Sequence, residues 1–254
     1  MVAVGVGLAS IVMPTEGPRL VRLTLADDPA AWEKAGFTVD EGTCWIDDVE
    51  MVLTGGPGRG LVSWTLTGVD AGALPTSNDF AGNGDANDHG DDVDGWIDGL
   101  ATHLIGAGEL SAASQRTPHP NGVTFIDHVV VLSPDLDRST AVLERIGIKS
   151  RRVRDVDESQ YGFEARQVFF RLGRPILEMI GPKEPLGDAG DRPLHCYGLA
   201  HTTDDLDGLA ARLGDDIGAV KDAVQSGRRI ATLRHKDLGV SLATAFMSDG
   251  PGSI

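Results

Sequence analysis

Apolar residues in the second half of the chain fall into two alternating patterns. "HVVVL" (His128–Leu132) is continuous and β-branched, which predicts a buried strand. Behind it, Val142, Leu143 and Ile146 recur at helical spacing. Ser133 is placed to cap that helix, Pro134 suits its first position, and Gly147 suits a left-handed stop. "SRRVRDV", "RQVFFRL" and "PILEMI" then predict three strands, the last two joined through Gly173-Arg174-Pro175. The order is strand, helix, three strands.

The same order returns downstream. "YGLAHTTDDLDGLAARLGDDIG" predicts a strand, a cap at Thr203 and a short helix. "GRRIATLRH" and "VSLATAFM" come next as strands around an Asp237-Leu238-Gly239 turn, and "SPDLD" matches "TDDLD" position for position. An earlier copy is visible in "LVRLTLADDPAAWEKAGF", with Asp28 as cap, Pro29 as first helical residue and Gly36 as stop. "TCWIDDVEMVLTG" completes it as a hairpin turning at Asp47-Asp48. "GLVSWTLTGVD" opens a fourth unit, but the residues after it do not clearly complete the pattern, so this unit is expected to be degenerate. Self-similarity on this scale is an organising signal for the whole chain.

Charge narrows the classes of partner. The chain of 254 residues carries a net charge of -16, so no basic stripe is available for nucleic acid or an anionic membrane. The apolar start, "MVAVGVGLASIVMP", lacks a basic leader and is too short to span a bilayer, so a strand or loose tail is expected there. Two distant cysteines, Cys44 and Cys196, suggest a reducing, cytoplasmic setting rather than a disulfide. Asp85-Ala-Asn87-Asp-His89-Gly90 has the start of a calcium loop, but Trp96 stands where the twelfth-position carboxylate belongs. No bound calcium is expected in that acidic segment.

The βαβββ units, the "IDHVVVLSPDLD" opening and the "FFRLGRPILEMIGP" hairpin together resemble the vicinal oxygen chelate superfamily, and its glyoxalase-like branch most. The resemblance is good over residues 124–247 and weaker over 19–70. It implies an α+β fold in which repeated βαβββ units form curved mixed sheets around a cup. It divides the chain into a degenerate N-terminal half, residues 1–115 with an acidic loop at 77–99, and a glyoxalase-like domain, residues 116–254. In that superfamily a divalent metal commonly sits in the cup on four side chains, one pair from each of two units. His128 and Glu178 stand at the first-strand and last-strand positions of one pair, as metal ligands or as catalytic residues.

The second unit departs from the pattern. Gly198 aligns with the missing histidine, and Ala243 stands where the second carboxylate belongs. His195 lies an odd step from Gly198, so only a bulge or slipped register brings it in as a further ligand. Glu50 echoes Glu178 without a histidine to match. The cofactor implied is therefore none or a weakly held divalent metal. The function implied is action on, or binding of, a small organic molecule. One form is a lyase, isomerase or dioxygenase-like enzyme with a weakened divalent-metal site that stabilises an enolate or adjacent oxygens; without the metal, His128 and Glu178 would work as an acid/base pair. The alternative is a metal-independent, drug-sequestering type of binding protein. The third is a structural module with an inert cup. Pairing of the two halves within the chain or across a homodimer stays open. Asp127 is expected to point away from His128, by strand alternation.

Overall fold

The computed structural model describes residues 17–56, 60–78, 93–106, 117–158, 162, 164–185 and 192–250. The calcium-like motif and the apolar start lie outside the described residues.

Strands β1 (Arg19–Leu25), β2 (Thr43–Ile46), β3 (Val49–Leu53), β4 (Leu61–Thr67), β5 (Gly95–Ile97) and β6 (Leu100–Leu104) form a sheet in the order β2-β3-β1-β4-β6-β5. Helix α1 (Pro29–Lys34) connects β1 to β2. The second sheet has eight strands: β7 (Val123–Leu132), β8 (Ser150–Val156), β9 (Ala165–Arg171), β10 (Ile176–Pro182), β11 (His195–Thr203), β12 (Lys221–Asp222), β13 (Arg229–Thr232) and β14 (Ala243–Ser248). Their order is β12-β13-β14-β11-β7-β10-β9-β8. Helices α2 (Leu136–Arg145) and α3 (Leu206–Leu213) come after β7 and β11, and the short α4 (His235–Leu238) precedes β14.

One construction rule covers both sheets. Two opening strands pair antiparallel at the centre, β1 with β4 and β7 with β11. Each also pairs in parallel with the last strand of its own unit: β3, β6, β10 or β14. The fourth unit keeps its opening strand β4 and the closing pair β5 and β6. Its crossover holds only a 3-10 turn at Ala71–Ala73 instead of an α-helix, so no helical period betrays it. The stretch expected as an acidic loop, 77–99, ends in strand β5. Trp64 and Thr102 fasten this unit internally through an indole N–H donated to the hydroxyl at 2.8 Å.

Helix starts need a correction. Asp135 and Asp205, not Ser133 and Thr203, cap α2 and α3, accepting from Arg138 N at 2.9 Å and Gly208 N at 2.8 Å. The hydroxyls act one step earlier in the turn: Ser133 Oγ receives Asp135 N, and Thr203 Oγ1 donates to Asn121 O. Ionised carboxylates are the stronger acceptors at a helix N-terminus.

The halves meet through specific contacts. Asp98, in the β5–β6 turn, is gripped by Arg138 Nε at 2.7 Å and by the Ser139 hydroxyl on α2. His119 accepts from Thr38 N at 3.0 Å through Nδ1 and donates to Trp45 O at 2.8 Å through Nε2. It is a structural staple rather than a ligand. His201 lies fully buried among Trp32, Phe37 and Phe246, with ring centroids 5.2–6.3 Å away. Cys44 and Cys196 are both free thiols.

Candidate functional site

The concave face of the eight-stranded sheet encloses a cavity of about 840 Å³. His128 and Glu178 both line it. Parallel pairing sets His128 opposite Ile176 and Glu178 opposite Val130. Strands about 4.8 Å apart and a rise of about 3.3 Å per residue then separate the two Cα atoms by about 8 Å. That spacing leaves room for a substrate atom or a water between imidazole and carboxyl.

His128 is held from behind by Asp127, whose Oδ1 lies 2.6 Å from His128 Nδ1. Strand alternation had put Asp127 on the opposite face. The β7–β11 register explains the difference: Ala200 pairs with His128 and His201 with Ile126, so Asp127 is an inserted, bulged residue. A bulge breaks the period of two and lets successive side chains lean the same way. Asp127 also receives Thr202 Oγ1 at 2.8 Å and Arg228 at 2.6 Å. Burial alone would raise its pKa, but hydrogen bonds from His128 and Arg228 prevail and hold the carboxyl well below its ordinary range. An ionised carboxylate can only accept, so Nδ1 carries a proton and Nε2 is the nitrogen presented to the cavity.

Glu178 has the opposite bias. Burial raises its pKa, against the pull of His128 and Arg154. Gln167, nearly fully buried, donates to Glu178 Oε1 at 2.8 Å and fixes the carboxyl's orientation. Two groups of different basicity thus share one wall, as acid/base chemistry requires.

The opposite wall is apolar. Gly198 pairs with Ala243 as His128 pairs with Ile176, so the counterpart of Glu178 is Ala245, two residues beyond the expected Ala243. A side chain at Gly198 would collide with the Ala243 carbonyl oxygen. A second bulge, at Tyr197, turns His195 onto the cup face opposite Leu132. It stays exposed at the mouth, about 13 Å along the strand from the level of His128. Among the described residues, no group of three or more His, Cys, Asp and Glu is arranged to hold a metal ion. With only His128 and Glu178 on one wall and no donor at Gly198 or Ala245, this donor set does not fit a tightly held divalent metal. Glu50, the N-terminal echo of Glu178, is consumed by Arg22 at 2.5 Å.

Asp127, Thr202, Arg228 and Gln167 are site residues that the sequence pattern did not single out. The one available signal was an acid directly before the histidine in a buried strand, since a buried carboxylate needs partners.

No protein-family model and no curated protein matches the sequence. Solved structures do. A xylose isomerase-like TIM barrel/4-hydroxyphenylpyruvate dioxygenase fusion protein aligns with a TM-score of 0.58 at 14% identity, covering 98% of this chain and 52% of that one. The chain therefore spans about half the length of the fusion protein. A mutant of 4-hydroxymandelate synthase from Streptomyces coelicolor aligns with a TM-score of 0.55 at 13% identity, covering 93% of this chain and 94% of that one. At such identities the likeness is one of fold alone.

Proposed function

We propose that this chain, which has the vicinal oxygen chelate fold, acts on a small organic molecule enclosed in its C-terminal cup, by proton transfer between His128 and Glu178. The observation that carries this reading is the Asp127–His128 pair facing a half-buried, elevated Glu178 across one cavity wall. His128 Nε2 takes a proton from a carbon or oxygen acid. Asp127 stabilises the imidazolium that forms, and Arg228 and Thr202 keep Asp127 in place. Glu178, biased toward its protonated form, returns a proton to the neighbouring atom. The outcome is an isomerisation or elimination, a lyase or isomerase class of reaction. No step is routed through a metal, because the donor set does not fit one.

The apolar second wall, with Gly198, Ala243, Ala245 and Met247 on the cavity, favours a second reading: metal-independent capture of an apolar or aromatic ligand without turnover. No helix among the described residues is long and apolar enough to cross a membrane, and a small molecule is the partner the cup would admit.

Deuterium exchange separates the readings. A panel of carbonyl compounds with acidic α-hydrogens is incubated with the protein in heavy water and monitored by NMR. The enzyme reading expects exchange that falls about 100-fold or more in His128→Ala and in Glu178→Gln. Cup binding with no exchange on any compound supports the capture reading. Exchange that survives both substitutions places the chemistry elsewhere.

A further inference from the structure

The cup holds a charged group that the proton-transfer reading leaves unused. Arg154, on β8, lines the cavity and is half-buried. Among the described residues it has no carboxylate within ion-pairing distance, although the chain carries 38 Asp and Glu against 22 Lys and Arg. Two nearby arginines are neutralised: Arg166 pairs with Asp155 at 2.8 Å, and Arg174, in the turn before β10, with Asp47 at 2.9 Å. Arg151, Arg152 and Arg171 pair with no carboxylate among the described residues, but they are exposed, whereas Arg154 is half-buried over the cup. An arginine left unpaired in an acidic protein, facing a cavity, is poised for an anion that is absent from the fold itself.

The plain structural account of β8 is edge protection. It is the outermost strand, and charged side chains deter pairing with another sheet. Arg151 and Arg152 are exposed and serve that purpose. Arg154 differs, because it lies over the cup rather than over solvent. Its neighbours there are chemically mixed. Gln167, directly opposite it on β9, gives an amide, Phe169 gives an aromatic face, and Glu178 lies within electrostatic reach.

From this placement, and resting on the cup reading above, we infer that the ligand is a monocarboxylic acid whose carboxylate is bound by Arg154, with its reacting atoms at the far end beside His128. A planar guanidinium binds a carboxylate through two parallel hydrogen bonds. A single negative charge fits better than a dianionic phosphate, because Glu178 stands nearby and Lys221, across the cup, is next to Asp222. Separation sets the shape. Arg154 is level, through Gln167 and Ile180, with Leu132, so it lies three strands and four residues from His128, about 20 Å between Cα atoms on a flat sheet, and curvature and the arginine's reach shorten this. The ligand is elongated, with apolar atoms between its acid and its reactive end.

The test titrates isotope-labelled full-length chain with 4-phenylbutyrate and, separately, with 4-phenylbutyramide, monitored by NMR. The acid should shift the amides of Val130, Gln167 and Ala245 and bind at least about tenfold tighter than the amide. Arg154→Gln should erase that advantage while leaving amide binding and the melting temperature unchanged. Arg151→Gln should alter neither. Equal binding of acid and amide, or an advantage that survives Arg154→Gln, overturns the carboxylate inference and leaves the cup reading standing. Binding of neither probe in the cup removes the cup reading, and this inference with it.

Discussion

His128 and His201 stand on paired strands of one sheet and face opposite ways. His128 meets the cup, with Asp127 behind it. His201 meets the core, where neither ring nitrogen has a hydrogen-bond partner. Both are more than nine-tenths buried, so burial does not distinguish them. Partners do. A carboxylate fixes the tautomer of His128, whereas apolar and aromatic walls disfavour a charge on His201. Desolvation, with minor repulsion from His119, pulls the His201 pKa down to about 3. One imidazole is placed to exchange protons with a ligand, and the other is an aromatic filler that stays neutral near neutral pH.

The contrast is broken most severely at Asp127. Asp127→Ala leaves Arg228, whose side chain is 11% exposed, without its carboxylate, and leaves His128 without its anchor. Uncompensated buried charge costs about 3–5 kcal/mol. Urea unfolding should show a loss of that size, and a loss below about 1 kcal/mol would mean that Arg228 reaches water in the folded state. Asp127→Asn keeps an acceptor oxygen and should cost less, while still lowering any His128-dependent exchange.

The core side of the contrast is sharpened by pH. The folded pKa of His201 lies below its ordinary 6.5, so the unfolded chain takes up the proton first. Its contribution is fully present above pH 6.5 and is lost as pH falls toward 3. Between pH 6.5 and 4.5 the loss from this residue is about 2 kcal/mol. His119, also lowered by burial, adds a loss of the same sign. His201→Phe, which suits the aromatic surroundings, should flatten the stability profile over that window. A wild-type profile with no fall across it would show that water reaches the ring.

A third test bears on the apolar wall. Gly198→His restores the residue type that the superfamily's metal pattern would place there, yet the Ala243 carbonyl leaves no space for it. The variant should lose about 1–3 kcal/mol through overpacking and gain no affinity for Zn²⁺ or Mn²⁺ by calorimetry. Tight, stoichiometric metal binding would show that β14 can move aside.

What the sequence revealed stems from periodicity. Continuous β-branched runs and helical spacing located β7 to β11 and their helices, and the order of the units carried the superfamily resemblance that implied a cup with His128 and Glu178 in it. What it hid were departures from periodicity. The bulges at Asp127 and Tyr197 each add one residue to a strand, and each reverses the face of what lies beyond it. Asp127 thereby became a partner of His128, and His195 turned toward the cup, against the simple alternation of their strands. The β5–β6 hairpin was hidden because its crossover carries no α-helix. Arg228 and Thr202 reach Asp127 from |i−j| separations of 101 and 75 residues, which no local pattern encodes.

The smallest expected effect isolates chemistry from stability. The Glu178 pKa is raised in the fold, chiefly by burial. Its ionised form is therefore disfavoured there, and any stability it contributes is present at low pH and lost as pH rises through the folded value. Glu178→Gln removes that penalty and keeps an oxygen to accept the Gln167 amide. Its unfolding free energy at neutral pH should equal or exceed the wild type, by less than about 1 kcal/mol, with a flatter profile above pH 4.5. Proton exchange in the cup should nevertheless collapse, because an amide cannot deliver a proton as a carboxylic acid does. A variant that loses stability and exchange together would instead make Glu178 a structural residue, and would leave His128 to act alone.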